Sequence, residues 1–436
     1  MKVFDTLLSE CGPLRDLHQD AAEDEAFINL CAFDNVLSDS AAHHLRSPLG
    51  SRYRIGAFKG IDALPNRSGL LLRGFRHLDE LEHAAHEASR ALFGGVVTDL
   101  RPLSGVHATT SIILAATDPG HTIYSIAPEH GGHFATRHIA ERAGRVSRYL
   151  AWDAASHNLD IESIARQFAQ EPPAYILLDH GTPLLPLRVA ELRQAAGARA
   201  LIDYDASHTL GLIAGGEFQN PLGEGCDILH GNTHKSFPGP QKALIVFKDE
   251  RLARQVQGAL DAGLVSSQHT HHLIALCITL LEMQRWGKVY ARQMLSNAAA
   301  LDRALRARGY VAGALPVSRS HVLLLQTPGE NEGYEWFERL QCAHIATNVR
   351  PLLGGTMMRL GVQEVTRRGF VGQDMEDIAM YFDMAVSQPA AVEHVRKRVI
   401  EKRRSRKTIC FSFDRYGFAQ QPCMARTQGR ALGVVA

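Results

Sequence analysis

Apolar residues along this chain recur at two spacings, one typical of helices and one typical of strands. Between residues 75 and 92 they return every three or four positions, with acidic residues on the other side, which predicts an amphipathic helix. Gly94 and Gly95 mark the end of that helix, because glycine readily adopts the backbone conformation that follows a helix. The longest helical pattern covers residues 273–308.

Short apolar runs typical of strands alternate with helical segments from residue 96 to residue 247. We predict strands at 96–100, 124–126, 174–178, 200–202, 228–229 and 243–247, and helices at 108–116 and 189–196. Because strands that alternate with helices form parallel sheets with crossover helices, we expect ligands beyond the carboxyl ends of these strands.

The pattern changes near residue 300. Strand-like runs at 321–326 and 358–362 are separated by helical patterns, which predicts a smaller α+β domain. We therefore expect an α/β protein with a large, mainly parallel sheet domain that carries helices on both faces. The predicted division is an N-terminal segment over residues 1–65, the large domain over 66–300 and a small C-terminal domain over 301–436.

Composition argues against several classes of protein. Hydrophobic residues make up 45% of the chain and charged residues 21%, which is ordinary for a folded protein and argues against disorder. The 47 basic residues balance 46 acidic ones, so we expect no nucleic-acid partner, and no apolar run reaches the ~18 residues of a membrane span. The seven cysteines include no CxxC pair, so we expect a cytoplasmic protein without a disulfide framework.

Two further clusters have simple interpretations. The basic stretch 396–407 is interpreted as a solvated helix face, and an RNA-binding role is the alternative. His269, His271 and His272 lie near a predicted helix start without other placed ligands, so we predict no metal site there.

The most informative segment runs from residue 227 to residue 241. An apolar strand leads into a polar turn that holds Lys235, and a proline–glycine–proline sequence follows. A partly desolvated lysine in such a turn has a lowered pKa, and its free amine is a nucleophile for aldehydes. Thr233 and His234 can donate hydrogen bonds to a phosphate or a ring oxygen. A plain surface lysine is the alternative.

A second polar segment follows the predicted strand at 200–202. Asp205 lies just past that strand, thirty residues before Lys235. His208 comes three residues after Asp205. A carboxylate at this place can keep a pyridinium nitrogen protonated while the lysine holds an aldehyde. The alternative is that Asp205 only caps the following turn or helix.

The motifs at 205–208 and 233–240, together with segments 129–134 and 360–370, resemble one known family. They are similar to the serine hydroxymethyltransferase group of fold-type-I pyridoxal-phosphate (PLP) enzymes, and the similarity extends over residues 28–370. Segment 231–241 looks closer still to the threonine transaldolases, a branch of that group. The resemblance implies the fold-type-I architecture and PLP as the cofactor.

The resemblance also implies how the cofactor is bound. Lys235 would hold PLP covalently, Asp205 would keep the ring nitrogen protonated, and His133 would stack on the ring and relay a proton. The other residues assigned to the cofactor are Ser104 and Gly105 at the phosphate, His208, Thr233 and His234, and Ser266 and Ser267 from a neighbouring subunit.

The resemblance extends to the substrate. Arg368 matches the arginine that holds the substrate carboxylate, and Arg367 is the alternative if the alignment is off by one. Tyr53 matches a tyrosine that enters the active site of the partner subunit. The implied assembly is a homodimer or homotetramer with shared active sites.

Some positions depart from the family pattern. Asp34 replaces the glutamate that transfers a proton, and Phe33 replaces a serine that contacts the carboxylate. Leu71 and Leu72 replace the tyrosines that help to hold folate, and Phe134 replaces a leucine on the folate path. These losses weaken the expectation of a folate substrate.

The expected function is therefore a PLP-dependent transaldolase. It would cleave the Cα–Cβ bond of a β-hydroxy-α-amino acid, most simply L-threonine, and add the glycyl carbanion to a second aldehyde. Lys235, His133 and Asp34 are the expected catalytic residues. The alternatives are a hydroxymethyltransferase that uses serine or α-methylserine with tetrahydrofolate, a simple threonine aldolase, and a non-catalytic relative.

Overall fold

A computed structural model describes residues 12–54, 74–310, 313, 315–352 and 354–414. Its α-helices are α1 (Gly12–Asp24), α2 (Asp39–Leu45), α3 (Arg76–Phe93), α4 (Gly105–Ala116), α5 (Phe134–Arg142), α6 (Ile161–Gln170), α7 (Val189–Ala196), α8 (Leu210–Ala214), α9 (Pro221–Glu224), α10 (Glu250–Ala259), α11 (Thr270–Arg306), α12 (Glu330–Cys342), α13 (Gln363–Arg367), α14 (Gly372–Ser387) and α15 (Val392–Arg404). Its strands are β1 (Ile28–Asn29), β2 (Val97–Asp99), β3 (Thr122–Ser125), β4 (Val146–Tyr149), β5 (Trp152–Asp153), β6 (Asn158–Leu159), β7 (Tyr175–Leu178), β8 (Leu201–Asp205), β9 (Ile228–Asn232), β10 (Ala243–Phe247), β11 (Val322–Gln326), β12 (Ile345–Ala346), β13 (Asn348–Leu352) and β14 (Gly355–Gly361).

The large sheet has the strand order β2-β10-β9-β8-β7-β3-β4. Strand β10 is antiparallel to both of its neighbours, whereas the other strands of this sheet run parallel to one another. Only residues 233–242 connect β9 to β10, and parallel neighbours need a crossover of about a dozen residues or more, so this connection reverses the chain. The mainly parallel sheet is thus confirmed, with one reversed strand.

The strands predicted from the sequence are present, and their ends differ by a few residues. The strand predicted at 200–202 continues to Asp205 because its polar residues find buried partners. Asp203 lies 2.8 Å from His230 Nδ1 and accepts a 2.5 Å hydrogen bond from the Tyr175 hydroxyl. Strand β4 was not predicted, since it is a partly exposed edge strand whose sequence contains a serine and an arginine.

Among the described residues, the two largest clusters of buried apolar residues lie at the two largest sheets. One packs around the large sheet, and the other surrounds the antiparallel sheet β11-β14-β13. Ile28 and Leu30 from the N-terminal segment belong to the second core, because β1 pairs in parallel with β12. Helix α11 contributes residues to both cores. The domain boundaries at 65 and 300 stay predictions.

The basic stretch 396–407 lies mostly in α15, and several of its cations are paired. Arg403 donates to Glu25 at 2.9 Å, and Lys402 lies 2.6 Å from Asp374. Arg406 donates to both carboxylate oxygens of Asp374 at 2.9 Å. These pairs join α15 to α14 and to the N-terminal segment, which favours the structural interpretation of the stretch.

Cysteine chemistry differs from the expectation at one position. Cys31, Cys226, Cys277 and Cys342 are free thiols. Cys410 is disulfide-bonded, which a reducing cytosol does not predict. Within the described residues, no group of three or more His, Cys, Asp or Glu is arranged to hold a metal ion, and no helix is long and apolar enough to cross a membrane.

The buried ion pair between Arg367 and Glu282 offers a test of the small-domain packing. Arg367 Nη2 lies 2.7 Å from Glu282 Oε2, and neither side chain has any exposed surface. Because Arg367→Met leaves a buried carboxylate without its partner, we expect it to lower the free energy of unfolding by about 3–5 kcal/mol. Urea unfolding of the holoenzyme, followed by circular dichroism, measures this change.

The matched control is Arg254→Met, since Arg254 pairs with Glu250 at 3.1 Å on the surface. That variant should change the stability by less than about 1 kcal/mol. The double variant Arg367→Met, Glu282→Gln should recover part of the loss. An Arg367→Met protein as stable as the control would contradict the assigned role of the pair.

Candidate active site

Lys235 lies in the turn that follows β9, where neighbouring groups hold its backbone. Asn35 donates from Nδ2 to the Lys235 carbonyl at 2.6 Å, and the Thr233 hydroxyl donates to the Pro240 carbonyl at 2.6 Å. The Lys235 amine lies 3.2 Å from His208 Nε2. Burial lowers the pKa of Lys235 to about 8, although Asp205 opposes the shift. A useful fraction of this amine is therefore uncharged and nucleophilic near neutral pH.

Asp205 ends β8, the strand next to β9, and it is held as an anion. Its Oδ1 accepts a hydrogen bond from the Ser207 amide at 2.8 Å, and its Oδ2 lies 3.8 Å from His230 Nε2. Burial favours the neutral acid, but His230, Ser207 and Lys235 outweigh it, so the pKa of Asp205 lies below its usual value. Such an anion can keep a heterocyclic nitrogen protonated.

His230 is a functional residue that the sequence analysis missed. It is fully buried in β9, where its Nδ1 lies 2.8 Å from Asp203 Oδ1 and its Nε2 lies 3.0 Å from Thr109 Oγ1. Burial opposes its charge, yet Asp203 and Asp205 raise its pKa to about 9. The signal was present in the sequence, because a histidine within an apolar strand needs a buried partner.

Lys235 and Asp205 line a cavity at the carboxyl ends of β8 and β9. Gly105 lies at one end of the cavity, where α4 begins, and its amide donates to Asn232 Oδ1 at 2.8 Å. A Cβ on Gly105 would lie only 2.4 Å from Asn232 Nδ2, so this close approach requires glycine. Ser104 caps α4, and its hydroxyl accepts a 3.1 Å hydrogen bond from the His107 amide. The start of α4 can bind a phosphate.

His133 lines the cavity and is oriented by Asp179. The His133 amide donates to Asp179 Oδ2 at 3.2 Å, and the Thr136 hydroxyl donates to the same oxygen at 2.6 Å. Burial lowers the pKa of His133, so its imidazole is neutral near pH 7 and can accept a proton. Burial also raises the pKa of Asp179 to about 7. Asp179 was missed, although it follows an apolar strand as Asp205 does.

The N-terminal segment places the backbone of Asp34 beside Gln363, the first residue of α13. Gln363 Nε2 donates to the carbonyls of Cys31 and Asp34 at 2.6 and 2.7 Å, and thereby fixes the backbone of that segment. Burial raises the pKa of Asp34, and its charge in turn raises that of Lys235. Asp34 does not line the Lys235 cavity, and its role in proton transfer stays a prediction.

The structure does not bring every predicted residue to the cavity. The Thr233 hydroxyl is occupied by Pro240, and the His234 ring does not line the cavity. Ser266 is exposed, Ser267 is half-buried, and the Tyr53 side chain is 56% exposed; none of the three lines this cavity. Their predicted contacts with a neighbouring subunit stay predictions. Leu71 and Leu72 lie outside the described residues.

Arg368, the predicted carboxylate anchor, does not lie at the cavity. Its Nε donates to Glu364 at 2.7 Å, on the side of α13 that faces the N-terminal segment. The alternative, Arg367, is also unavailable, since it is buried against Glu282. Arg367 is the last residue of α13 and Arg368 caps that helix, so neither side chain projects from strand β14.

Arg359, in β14, occupies the place expected of Arg368. Its Nη1 donates to the Gly181 carbonyl at 2.8 Å and its Nε to Asn348 Oδ1 at 3.1 Å, so the guanidinium is fixed beside a residue that lines the cavity. Its Cζ lies 5.3 Å from the centre of the Phe33 ring. A lone arginine inside an apolar strand was the signal that the sequence analysis did not use.

Residues 15–382 match the sequence profile of the family described as serine hydroxymethyltransferase. The chain belongs to the serine hydroxymethyltransferase family. Members of this family depend on PLP, and this chain is a PLP-dependent enzyme of the transferase type. The residues fit that cofactor: Lys235 offers a desolvated amine, Asp205 offers an anion for the ring nitrogen, and the start of α4 offers amides for the phosphate.

Individual relatives agree with the family assignment. A fluorothreonine transaldolase from Streptantibioticus cattleyicolor is 37% identical over 412 residues, which are 94% of this chain and 65% of that protein. A serine hydroxymethyltransferase from Methanopyrus kandleri is 33% identical over 397 residues, 88% of this chain and 90% of the relative. The crystal structure of L-threonine transaldolase from Pseudomonas fluorescens in its internal aldimine state superposes with a TM-score of 0.87 at 26% identity, covering 95% of this chain and 96% of the other.

A second buried lysine, Lys242, provides a comparison. Its ammonium donates to the Gln268 carbonyl at 3.1 Å and to the Arg101 carbonyl at 3.3 Å, and burial lowers its pKa to about 8 as well. It does not line the Lys235 cavity. A lowered pKa therefore does not distinguish the two lysines, whereas their surroundings do.

We expect Lys235→Ala to lose the near-visible absorption of the bound cofactor, whereas Lys242→Met should retain it. Borohydride reduction of the holoenzyme followed by peptide mass spectrometry should place the cofactor on the peptide that contains Lys235. This second measurement does not depend on the folding of a variant. Cofactor attached to the Lys242 peptide would contradict the assignment.

Proposed function

We propose that this chain is a transaldolase that uses L-threonine as donor and a second aldehyde as acceptor. The reaction converts threonine and R-CHO into acetaldehyde and a new β-hydroxy-α-amino acid, without oxidation or reduction. The proposal is carried by Lys235 and Asp205, which line one cavity, and by Arg359, which donates to the carbonyl of the cavity residue Gly181, together with similarity to two transaldolases. The chain spans about two thirds of the fluorothreonine transaldolase, 65% of its length.

When it is bound, PLP withdraws electrons from the amino acid Cα and so allows the Cα–Cβ bond to break. Lys235 would hold the cofactor through its desolvated amine. Asp205 stabilises the protonated ring nitrogen, because its own charge is maintained by His230 and Ser207. Asp203 supports the same charge from behind His230.

Arg359 is proposed as the residue that binds the substrate carboxylate. Its Nε and Nη1 already donate to Asn348 and Gly181, which fixes the plane of the guanidinium. The remaining N–H groups form a preorganised donor set, and such a fork binds carboxylates more strongly than a single ammonium. The charge of Arg359 lowers the pKa of Lys235.

Proton transfer at the substrate hydroxyl is assigned to His133 or Asp34. The threonine hydroxyl must lose its proton as acetaldehyde leaves, and the alkoxide of the product must gain one when the new bond forms. His133 is neutral near pH 7, because burial lowers its pKa, so it can accept and return that proton. Asp34 has a pKa raised by burial and is the alternative group for this proton.

We further propose that the enzyme is a cytoplasmic homodimer or homotetramer with shared active sites. Tyr53, Ser266 and Ser267 lie away from the cavity of their own chain, which supports the proposal that they serve a neighbouring one. Phe134 stacks on His133 with ring centres 4.8 Å apart and is 75% exposed, so it is placed to contact the second substrate.

The direct test incubates holoenzyme with L-threonine and a panel of aldehydes. We expect acetaldehyde release together with a new β-hydroxy amino acid, both measured by chromatography. A parallel reaction with serine and tetrahydrofolate tests the hydroxymethyltransferase alternative. Folate-dependent glycine formation without acetaldehyde from threonine would overturn the proposal, and acetaldehyde release without any acceptor product would favour a simple aldolase.

The arginine assignment makes a separate prediction. Because Arg359→Gln removes a partly buried charge-assisted contact, we expect the affinity for threonine and glycine to fall by about 2–4 kcal/mol, roughly 30- to 1000-fold. Arg368→Gln, a matched change nine positions further along, should leave that affinity within a few-fold. Spectral titration of the holoenzyme with glycine gives both values. The reverse ranking would restore Arg368 as the carboxylate anchor.

A further inference from the structure

Arg350 lies in β13 at the edge of the active-site cavity. Its Nη1 is 3.8 Å from the position that a Cβ on Gly181 would take, and Gly181 lines the Lys235 cavity. Arg359 donates to the carbonyl of the same glycine at 2.8 Å. Two guanidinium groups of the small sheet therefore converge on Gly181.

Arg350 also has an unusual environment for a charged residue. Its side chain is half-buried, and burial lowers its pKa without a carboxylate to oppose the shift. Within the described chain, no carboxylate lies within 4.0 Å of its guanidinium, whereas its charge disfavours protonation of His133 and His180. A half-buried cation beside another cation is unfavourable on its own, so an anionic ligand would stabilise both.

The surroundings of Arg350 separate it from the amino-acid end of the site. Arg359 is fixed by two hydrogen bonds, and its charge lowers the pKa of Lys235. Arg350 lines a different groove, which shares no lining residue with the Lys235 cavity. The other lining residues of that groove are Pro128, Glu129, Glu330, Leu352, Thr356 and neighbouring loop residues.

We propose that Arg350 is a specificity-determining residue that favours acceptor aldehydes bearing a carboxylate or phosphate group. The proposal rests on the transaldolase function and names the class of its second substrate. An acceptor that extends along the groove presents its anionic group to Arg350, and its aldehyde carbon reaches the cavity beside Gly181. The donor carboxylate remains with Arg359, so the two anions of the reacting pair have separate partners.

The test compares matched pairs of acceptors with threonine as donor. One pair is 4-formylbenzoate and its methyl ester, and the other is D-glyceraldehyde 3-phosphate and D-glyceraldehyde. For the wild-type holoenzyme we expect a higher kcat/KM for the charged member of at least one pair, and the responding pair distinguishes a carboxylate from a phosphate site. Arg350→Gln should reduce this preference roughly 10-fold or more, and Arg350→Lys should retain part of it.

Arg254→Gln is the control, since it removes a surface guanidinium far from the site and should leave the ratio unchanged. Equal use of charged and neutral acceptors by the wild-type enzyme would overturn the inference. So would an Arg350→Gln protein that keeps the wild-type preference, or one whose glycine affinity falls as far as that of Arg359→Gln. Absence of acetaldehyde release from threonine by the wild-type enzyme would instead overturn the proposed function itself.

Discussion

A lysine amine partly withdrawn from water beside a buried carboxylate is the interaction on which the active site depends. Burial and the charge of Arg359 lower the pKa of Lys235, while Asp205 and Asp34 raise it. The resulting pKa is about 8. His230, Ser207 and Lys235 keep Asp205 charged, and Asp203 and Asp205 keep His230 charged in turn. Lys235 thus lies at the cavity end of a row of buried charged groups, in which each group stabilises the charge of its neighbour.

The fold maintains this chain by placing its members on adjacent strands. Asp203 and Asp205 belong to β8, His230 belongs to β9, and the register pairs Asp205 with His230. The turn that carries Lys235 follows β9 directly, so its amine meets the carboxyl end of β8. Neighbouring parallel strands end at the same edge of a sheet, so the carboxyl ends of β8 and β9 lie side by side.

The groups proposed to bind the substrates belong to a different sheet. Arg359 and Arg350 lie in the small antiparallel sheet, whereas Lys235 and Asp205 belong to the large one. Gly181 is the point where the two parts meet, because its carbonyl accepts a hydrogen bond from Arg359. In the proposed function, residues of the large sheet would hold the cofactor, and residues of the small sheet would select the substrates.

The sequence by itself predicted the alternation of strands and helices from local patterns of apolar and polar residues, and its resemblance to a known family predicted the roles of Lys235 and Asp205. It could not determine which arginine lies beside the cavity, since Arg359 in β14 and Arg368 just after α13 are only nine residues apart, and the folded backbone decides where each side chain lies. Nor could the sequence show that Asp203 and Asp179 both raise the pKa of His230, because these residues are far apart along the chain and become neighbours only in the folded sheet. Only tertiary structure brings such distant charges within a few ångströms, and electrostatic interactions in a partly buried site depend on that distance.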